Sequence, residues 1–192
     1  MADDTARDNA PPTTSKRDAV AAEAAKALGD AQGTLIGKSV TINKPAAELY
    51  SFFRDFSNLP SFMENVISIE VRDDKLSHWV VKAPAGKTVE WNARVTDEGE
   101  GQYIAWDVEP GADVRNSGRI EFKDAGARGT VVTLELVYEP PAGIIGRLIA
   151  GAFQREPGIQ ARRDLRRFKQ LMETGEIATP AKNRQEFEEM GL

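Results

Sequence analysis

Cysteine is absent from the 192 residues of this chain, and histidine occurs once, as His78. Without cysteine there is no disulfide, no thiol nucleophile and no thiolate ligand for a metal. His78 precedes Trp79 in a strand pattern whose apolar face continues with Val81, so we expect it to point to solvent. A Ser-His-Asp triad and a multi-histidine metal site are therefore excluded. We expect no metal and no cofactor, and the sequence identifies no catalytic residue.

Long apolar runs are also absent. The most apolar stretch is PPAGIIGRLIAGAF, residues 140–153, and Arg147 interrupts it. It is too short for a bilayer span, which needs roughly 20 apolar residues. The first residues, MADDTARDNAPPTTSKRD, contain early acids and no apolar core, unlike a secretory signal. A net charge of −5 argues against general nucleic-acid binding. These features predict a bacterial, cytoplasmic protein.

Composition divides the chain into three regions. Residues 1–34 are polar and then alanine-rich, and we predict a disordered or weakly helical N-terminal extension. Residues 35–176 carry the regular apolar patterns of one domain. Residues 177–192 contain Pro180 and many charges, and we predict a polar C-terminal tail.

The order of patterns within 35–176 predicts an α+β fold. KSVTI alternates like a strand, and Pro45 then suits the first turn of a helix with apolar residues at helical spacing. Pro60 ends that helix and favours a second short turn. Six segments of strand character follow at hairpin spacing, and a long C-terminal helix comes last. Helices on one side of an antiparallel sheet account for this order.

Large rings alternate with polar residues along the predicted strands, so one face of the sheet should be apolar. A curved sheet around one helix has more inner surface than that helix can cover. Some of these rings therefore fill the core and others should line a cavity. The predicted inner rings are Trp79, Trp91, Trp106, Phe122 and Tyr138.

The spacing W-x-V-x-x-P-x-G-x-x-x-x-W from Trp79 to Trp91, the Gly129–Thr130 hairpin entry and the run LRRFK at 165–169 carry a family resemblance. Over residues 38–176 the chain resembles the polyketide cyclase/dehydrase and lipid-transport branch of the START-like (SRPBCC) superfamily. The resemblance implies a helix-grip fold, in which a seven-stranded antiparallel sheet wraps a long C-terminal helix and two short helices follow the first strand. Similar proteins enclose lipids, quinones, sterols or polyketides, and some catalyse cyclisation or dehydration. No catalytic residue of the family matches a position here.

The candidate ligand cavity combines large apolar side chains with two polar handles, Asn116 and Tyr138. The direction of Asp107 is open: if Tyr103 and Ala105 face inward, its carboxylate enters the cavity as an acid or base. The predicted cavity residues are Phe53, Trp79, Trp91, Trp106, Asn116, Phe122, Leu136 and Tyr138.

The apolar stretch before the last helix is predicted to be a lid. Its glycines lower its helix propensity, and its large aliphatic and aromatic side chains can cover an apolar site. The alternative is an imperfect first turn of a buried helix. The predicted lid residues are Ile144, Ile145, Leu148, Ile149 and Phe153.

The last helix carries a basic cluster. It is either a solvated face, balanced in part by Glu156, Asp164 and Glu173, or a contact surface for anionic lipid or an acidic protein. The cluster consists of Arg155, Arg162, Arg163, Arg166, Arg167 and Lys169.

The predicted function is binding of a small hydrophobic ligand, for transport or presentation. A cyclase or dehydratase is the first alternative, and it needs an ionisable side chain facing the cavity. A protein-interaction module is the second. The sequence leaves the oligomeric state open.

Overall fold

The computed structural model describes residues 34–83, 86–112, 114–139 and 157–177. The N-terminal extension, the predicted lid and nearly all of the C-terminal tail lie outside these residues. The elements are β1 Thr34–Ile42, α1 Ala46–Arg54, a 3₁₀ helix Phe56–Ser61, β2 Val66–Val71, β3 Leu76–Lys82, β4 Thr88–Gly99, β5 Tyr103–Val108, β6 Arg115–Asp124, β7 Thr130–Glu139 and α2 Pro157–Thr174.

The seven strands form one antiparallel sheet in the order β1-β7-β6-β5-β4-β3-β2. Strands β2 to β7 are a meander, and β1 pairs with β7 from Thr34 opposite Tyr138 to Ile42 opposite Thr130. Register shifts interrupt β2 near Val66 and β4 after Val95, and such bulges increase the local bend and twist of a sheet. The predicted helix-grip architecture is confirmed.

The turn between β1 and α1 packs against the start of β7. Gly129 has a φ of +84°, and a Cβ placed on it would lie 2.2 Å from the carbonyl oxygen of Ile42. The next residue, Thr130, is fully buried and donates from Oγ1 to the carbonyl of Lys44 at 2.7 Å. A glycine is required here by both the backbone conformation and the close approach of a second chain segment.

Helix α2 is fixed at two points on the inner side of the sheet. Lys169 Nζ donates to the carbonyl of Thr41 in β1 at 2.7 Å. Arg167 Nε donates to the carbonyl of Phe62, just after the 3₁₀ helix, at 2.9 Å. Between these anchors Phe168 is fully buried and stacks on Phe62 with ring centroids 4.9 Å apart.

The core therefore lies under α1 and the C-terminal part of α2. Leu165 and Phe168 of α2 pack there against Phe53 of α1, together with Ile120 and Val132 of the sheet. The N-terminal part of α2 faces a different part of the sheet, where the core does not extend.

We expect Phe168→Ala to cost about 3–5 kcal/mol of unfolding free energy, because it removes a fully buried ring at the centre of this cluster. The control is Ile159→Ala on the same helix, where the side chain is 40% exposed and the change should stay within about 0.5 kcal/mol. Urea unfolding measures both. Equal losses in the two variants would contradict the proposed position of the core.

Candidate functional site

A cavity of about 210 Å³ lies between the sheet and the N-terminal part of α2. Strands β3 and β4 supply much of its floor, and α2 contributes Gln160, Ala161 and Asp164. The wall is nearly all apolar. Its polar side chains, among the described lining residues, are those of Ser77, Asn116, Gln160 and Asp164, apart from the indole N–H groups.

Six of the predicted cavity residues line this space. They come from six different elements, namely α1, β3, β4, β5, β6 and β7. These residues are Phe53, Trp79, Trp91, Trp106, Asn116 and Leu136.

Two indoles form one side of the cavity. Trp79 and Trp91 are directly opposite in the β3–β4 register, and their rings stack with centroids 6.1 Å apart and planes 13° apart. The indole N–H of Trp79 donates to Ser77 Oγ at 2.9 Å. This hydrogen bond within the wall satisfies that donor, and the ring remains as an apolar surface.

The third indole packs closely on the sheet. Trp106 is opposite Gly118 in the β5–β6 register, and a Cβ placed on Gly118 would lie 2.6 Å from the Trp106 ring. Its N–H donates to Asn116 Oδ1 at 3.2 Å. Because Gly118 has no side chain, the indole rests against the backbone and leaves the space above it open.

Two predicted cavity residues, Phe122 and Tyr138, are not among the described residues that line the cavity. Phe122 belongs to the core: it is 4% exposed and packs edge-on against Tyr50 and Phe53. Its strand position does face inward, but α1 covers that part of the sheet. The backbone of Tyr138 pairs with Thr34 and Asn116, while its side chain lies outside the described structure, as do all five lid residues.

Asp107 points away from the cavity. Ile104 is fully buried and Trp106 lines the cavity, so the residue after Trp106 projects from the opposite face. Asp107 is exposed, and its Oδ1 accepts the N–H of Val108 at 2.8 Å. The β5 register therefore directs the Asp107 carboxylate away from the cavity.

A different carboxylate does reach it. Asp164 was assigned to the solvated face of α2, but it lines the cavity. Its Oδ1 accepts the amide of Gln160 at 2.9 Å, and it also accepts the backbone N–H of Glu64. Burial raises the pKa of Asp164 to about 6, and these two hydrogen bonds and nearby Arg167 oppose the shift only in part.

The sequence did contain a signal for this position. Asp164 is three residues after Ala161 and four before Phe168, both buried, and such spacing places residues on one helix face. The charged residues next to Asp164 in the sequence favoured a solvent-exposed position instead.

The outer face of β3 and β4 carries a polar network around the single histidine. His78 Nδ1 lies 2.9 Å from Asn92 Oδ1, and its Nε2 lies 3.5 Å from Glu90 Oε2. The Asn92 amide in turn donates to Glu109 at 3.3 Å. His78 thus faces outward, as predicted. No group of three or more metal-ligating side chains occurs among the described residues.

Of the predicted basic cluster, Arg155 lies outside the described residues, and the other five members lie on α2. Arg162, Arg163 and Arg166 are exposed. Arg167 and Lys169 instead hold the helix in place through their bonds to backbone carbonyls. Contact of the three exposed arginines with anionic lipid or an acidic partner stays a prediction. Neither described helix is long and apolar enough to span a bilayer.

Asp164→Asn should change how stability depends on pH. The usual pKa of this carboxyl is 3.8, and the folded value is about 6. Between these values the folded chain holds a proton that the unfolded chain has lost, so this residue's contribution to stability falls as pH rises from 4 to 6.

Asparagine cannot ionise, so the stability of the variant relative to the wild type should increase by about 1–2 kcal/mol between pH 4 and pH 7. Urea unfolding at several pH values measures this difference. Ile159→Leu, at an exposed position of the same helix, is the control and should show no such trend, because it changes no ionisable group. A difference for Asp164→Asn that is independent of pH would contradict the raised pKa.

Comparison with known proteins agrees with this architecture. An uncharacterized 17.2 kDa protein of Streptomyces lincolnensis is 28% identical over 140 residues, which cover 72% of this chain and 89% of that protein. The crystal structure of DR_A0006 from Deinococcus radiodurans is 43% identical with a TM-score of 0.61, covering 74% of this chain and 99% of the other.

The Zhui aromatase/cyclase from a Streptomyces species has a TM-score of 0.58 at 14% identity, covering 76% of this chain and 99% of that one, which is a likeness of fold. A family model described as polyketide cyclase / dehydrase and lipid transport matches residues 35–173. That match covers most of the chain and nearly all of the described structure, and the protein therefore belongs to the polyketide cyclase/dehydrase and lipid-transport family.

Proposed function

We propose that this protein binds a small hydrophobic ligand in the cavity between the sheet and α2. The observation that carries the proposal is an unfilled, apolar space of about 210 Å³ bounded by three indole rings. Protein interiors are packed as densely as organic crystals, so a space of this size is unusual in a small domain. A pocket with apolar walls and a few polar groups is the usual form of a ligand site.

The size of the cavity limits the ligand. An engineered apolar cavity of about 150 Å³ accommodates benzene, so about 210 Å³ suits two fused rings or a chain segment of similar volume. A longer lipid, a quinone or a polyketide would place one ring system or one segment inside the described cavity and the remainder outside it. Transport or presentation of such a molecule is consistent with the family description.

A second candidate function is dehydration or cyclisation of a polyketide-like substrate. The observation that favours it is Asp164, an ionisable group on the cavity wall with a pKa of about 6. A carboxyl in this range can both accept and donate a proton near neutral pH, which general acid–base catalysis requires.

Ligand binding should stabilise the folded protein. Naphthalene at a hundred times its dissociation constant should raise the free energy of unfolding by about 2.7 kcal/mol, because it binds the native state alone. Ala161→Leu should remove this effect without unfolding the domain, since Ala161 is buried and lines the cavity. Differential scanning calorimetry with and without naphthalene measures both.

Ile159→Leu, at an exposed site of the same helix, is the matched control and should respond to naphthalene like the wild type. No stabilisation of the wild type would contradict ligand binding in the cavity. Undiminished stabilisation of Ala161→Leu would place the binding site elsewhere.

The enzymatic candidate has its own test. A β-hydroxy ketone of two-ring size loses water to give an enone, which is followed by its absorbance. Asp164 would remove the proton next to the carbonyl and return it to the departing hydroxyl, so Asp164→Asn should abolish any acceleration. If the ketone binds but is not converted, the binding function is supported and catalysis of this reaction is excluded.

A further inference from the structure

The described wall of the cavity carries one charge-bearing side chain. Among the described residues that line it, Asp164 is the only one with an ionisable group. The polar side chains that share the wall, Ser77, Asn116 and Gln160, are neutral. The protonation state of this carboxyl therefore sets the charge of the described cavity wall.

Within the described structure no cation lies within ion-pair distance of Asp164. Arg167 is on the same helix and acts on Asp164 through its field, but its guanidinium Nε is bound to the carbonyl of Phe62. On the other side, Glu64 contributes a negative charge that opposes ionisation. The carboxyl thus has hydrogen bonds from Gln160 and the Glu64 backbone, and no contacting counterion.

At neutral pH the described residues leave the charge of Asp164 without a contacting cation. With a pKa of about 6, Asp164 is ionised in most molecules at pH 7. A carboxylate taken out of water is costly unless a cation and hydrogen bonds compensate it. The hydrogen bonds are present, and the contacting cation is what the described residues do not provide.

The walls beside this carboxylate favour a cation as well. Trp79, Trp91 and Trp106 line the same cavity. The face of an indole attracts ammonium groups, and this attraction grows when the site is shielded from water. Trp106 packs on the sheet at Gly118 and lines the cavity from there.

From this juxtaposition of one carboxylate and three indoles we infer that the cavity selects hydrophobic amines, with the protonated nitrogen at Asp164 and the apolar body against the tryptophans. The inference deepens the proposed binding function and rests on it. A neutral alcohol of the same shape would donate a hydrogen bond to Asp164 but would leave its charge uncompensated. An anionic ligand would add a second negative charge.

The experiment uses the full chain and three ligands with one ring system: 2-naphthylmethylamine, 2-naphthalenemethanol and 2-naphthoate. Isothermal titration calorimetry at pH 7.5 should rank the amine about tenfold tighter than the alcohol, because the ammonium compensates the charge of the Asp164 carboxylate and the hydroxyl does not. The naphthoate should bind weakest. An amine that binds no more tightly than the alcohol overturns the inference.

Asp164→Asn should remove the preference. The amine should lose about tenfold in affinity and the alcohol less than threefold, since the asparagine keeps the shape and loses the charge. Asp107→Asn is the same substitution on the outer face and should leave all three affinities unchanged. A retained amine preference in Asp164→Asn would also overturn the inference.

The pH profile gives a readout that a purely structural role of Asp164 would not change. Lowering the pH from 7.5 to 5 protonates most of the free Asp164, so the amine should weaken by about tenfold while the alcohol stays nearly constant. Arg167 and Glu64 face Asp164, and the remaining described wall is uncharged. A flat amine profile contradicts the inference.

These outcomes are separable from failure of the proposed function. If naphthalene and all three derivatives fail to bind, the ligand-binding proposal itself is wrong. If naphthalene binds and the amine is not preferred, only the inference about Asp164 is wrong.

Discussion

The packing of Phe168 between α2 and the sheet decides where the rest of the domain has room. The ring is fully buried and lies within 6 Å of three other phenylalanine centroids, those of Phe52, Phe53 and Phe62. Arg167 and Lys169, on either side of it, bond to backbone carbonyls in two different elements. The helix is thus fixed near its C-terminal half.

The helix also lies along β1 at its N-terminal end, where Gly158 packs against the side chains of Ile36 and Lys38. The sheet twists and bends away from this edge, so a space remains between α2 and strands β3 and β4. The sheet does not close this gap with its own side chains. Trp79 and Trp91 stack on each other, and Trp106 packs against Gly118. These large side chains therefore line the cavity, whereas in a closely packed core they would fill the interior.

The same geometry explains the altered acidity of Asp164. One turn further along the helix, the equivalent face is occupied by Phe168 in the core, so Asp164 on this face is shielded from water in part. In the core a carboxylate would be very unfavourable. At the cavity it retains a partner in Gln160 and one face toward the open space. The pKa of about 6 follows from that intermediate environment.

Much of this protein was determined by local sequence patterns. Alternation along strands predicted which residues face inward, because a strand places successive side chains on opposite faces regardless of its neighbours. The order of elements and the ring-rich inner face of β3 to β6 followed from the same rule. Five of the eight predicted cavity residues lie at the cavity for this reason, Trp79 and Trp91 among them, and Phe53 reaches it from α1.

Only the tertiary structure decided how the inner face is divided between core and cavity. Phe122 and Leu136 both face inward by the strand pattern, but α1 covers Phe122 and leaves Leu136 at the cavity. The direction of Asp107 was open from the sequence, whereas Asp164 was expected only as a balancing charge on the solvated face of the last helix. The β5 register turned one outward, and the position of α2 turned the other inward. Sequence periodicity specifies the face on which a residue lies, while the contact across that face depends on the packing of elements distant in the chain.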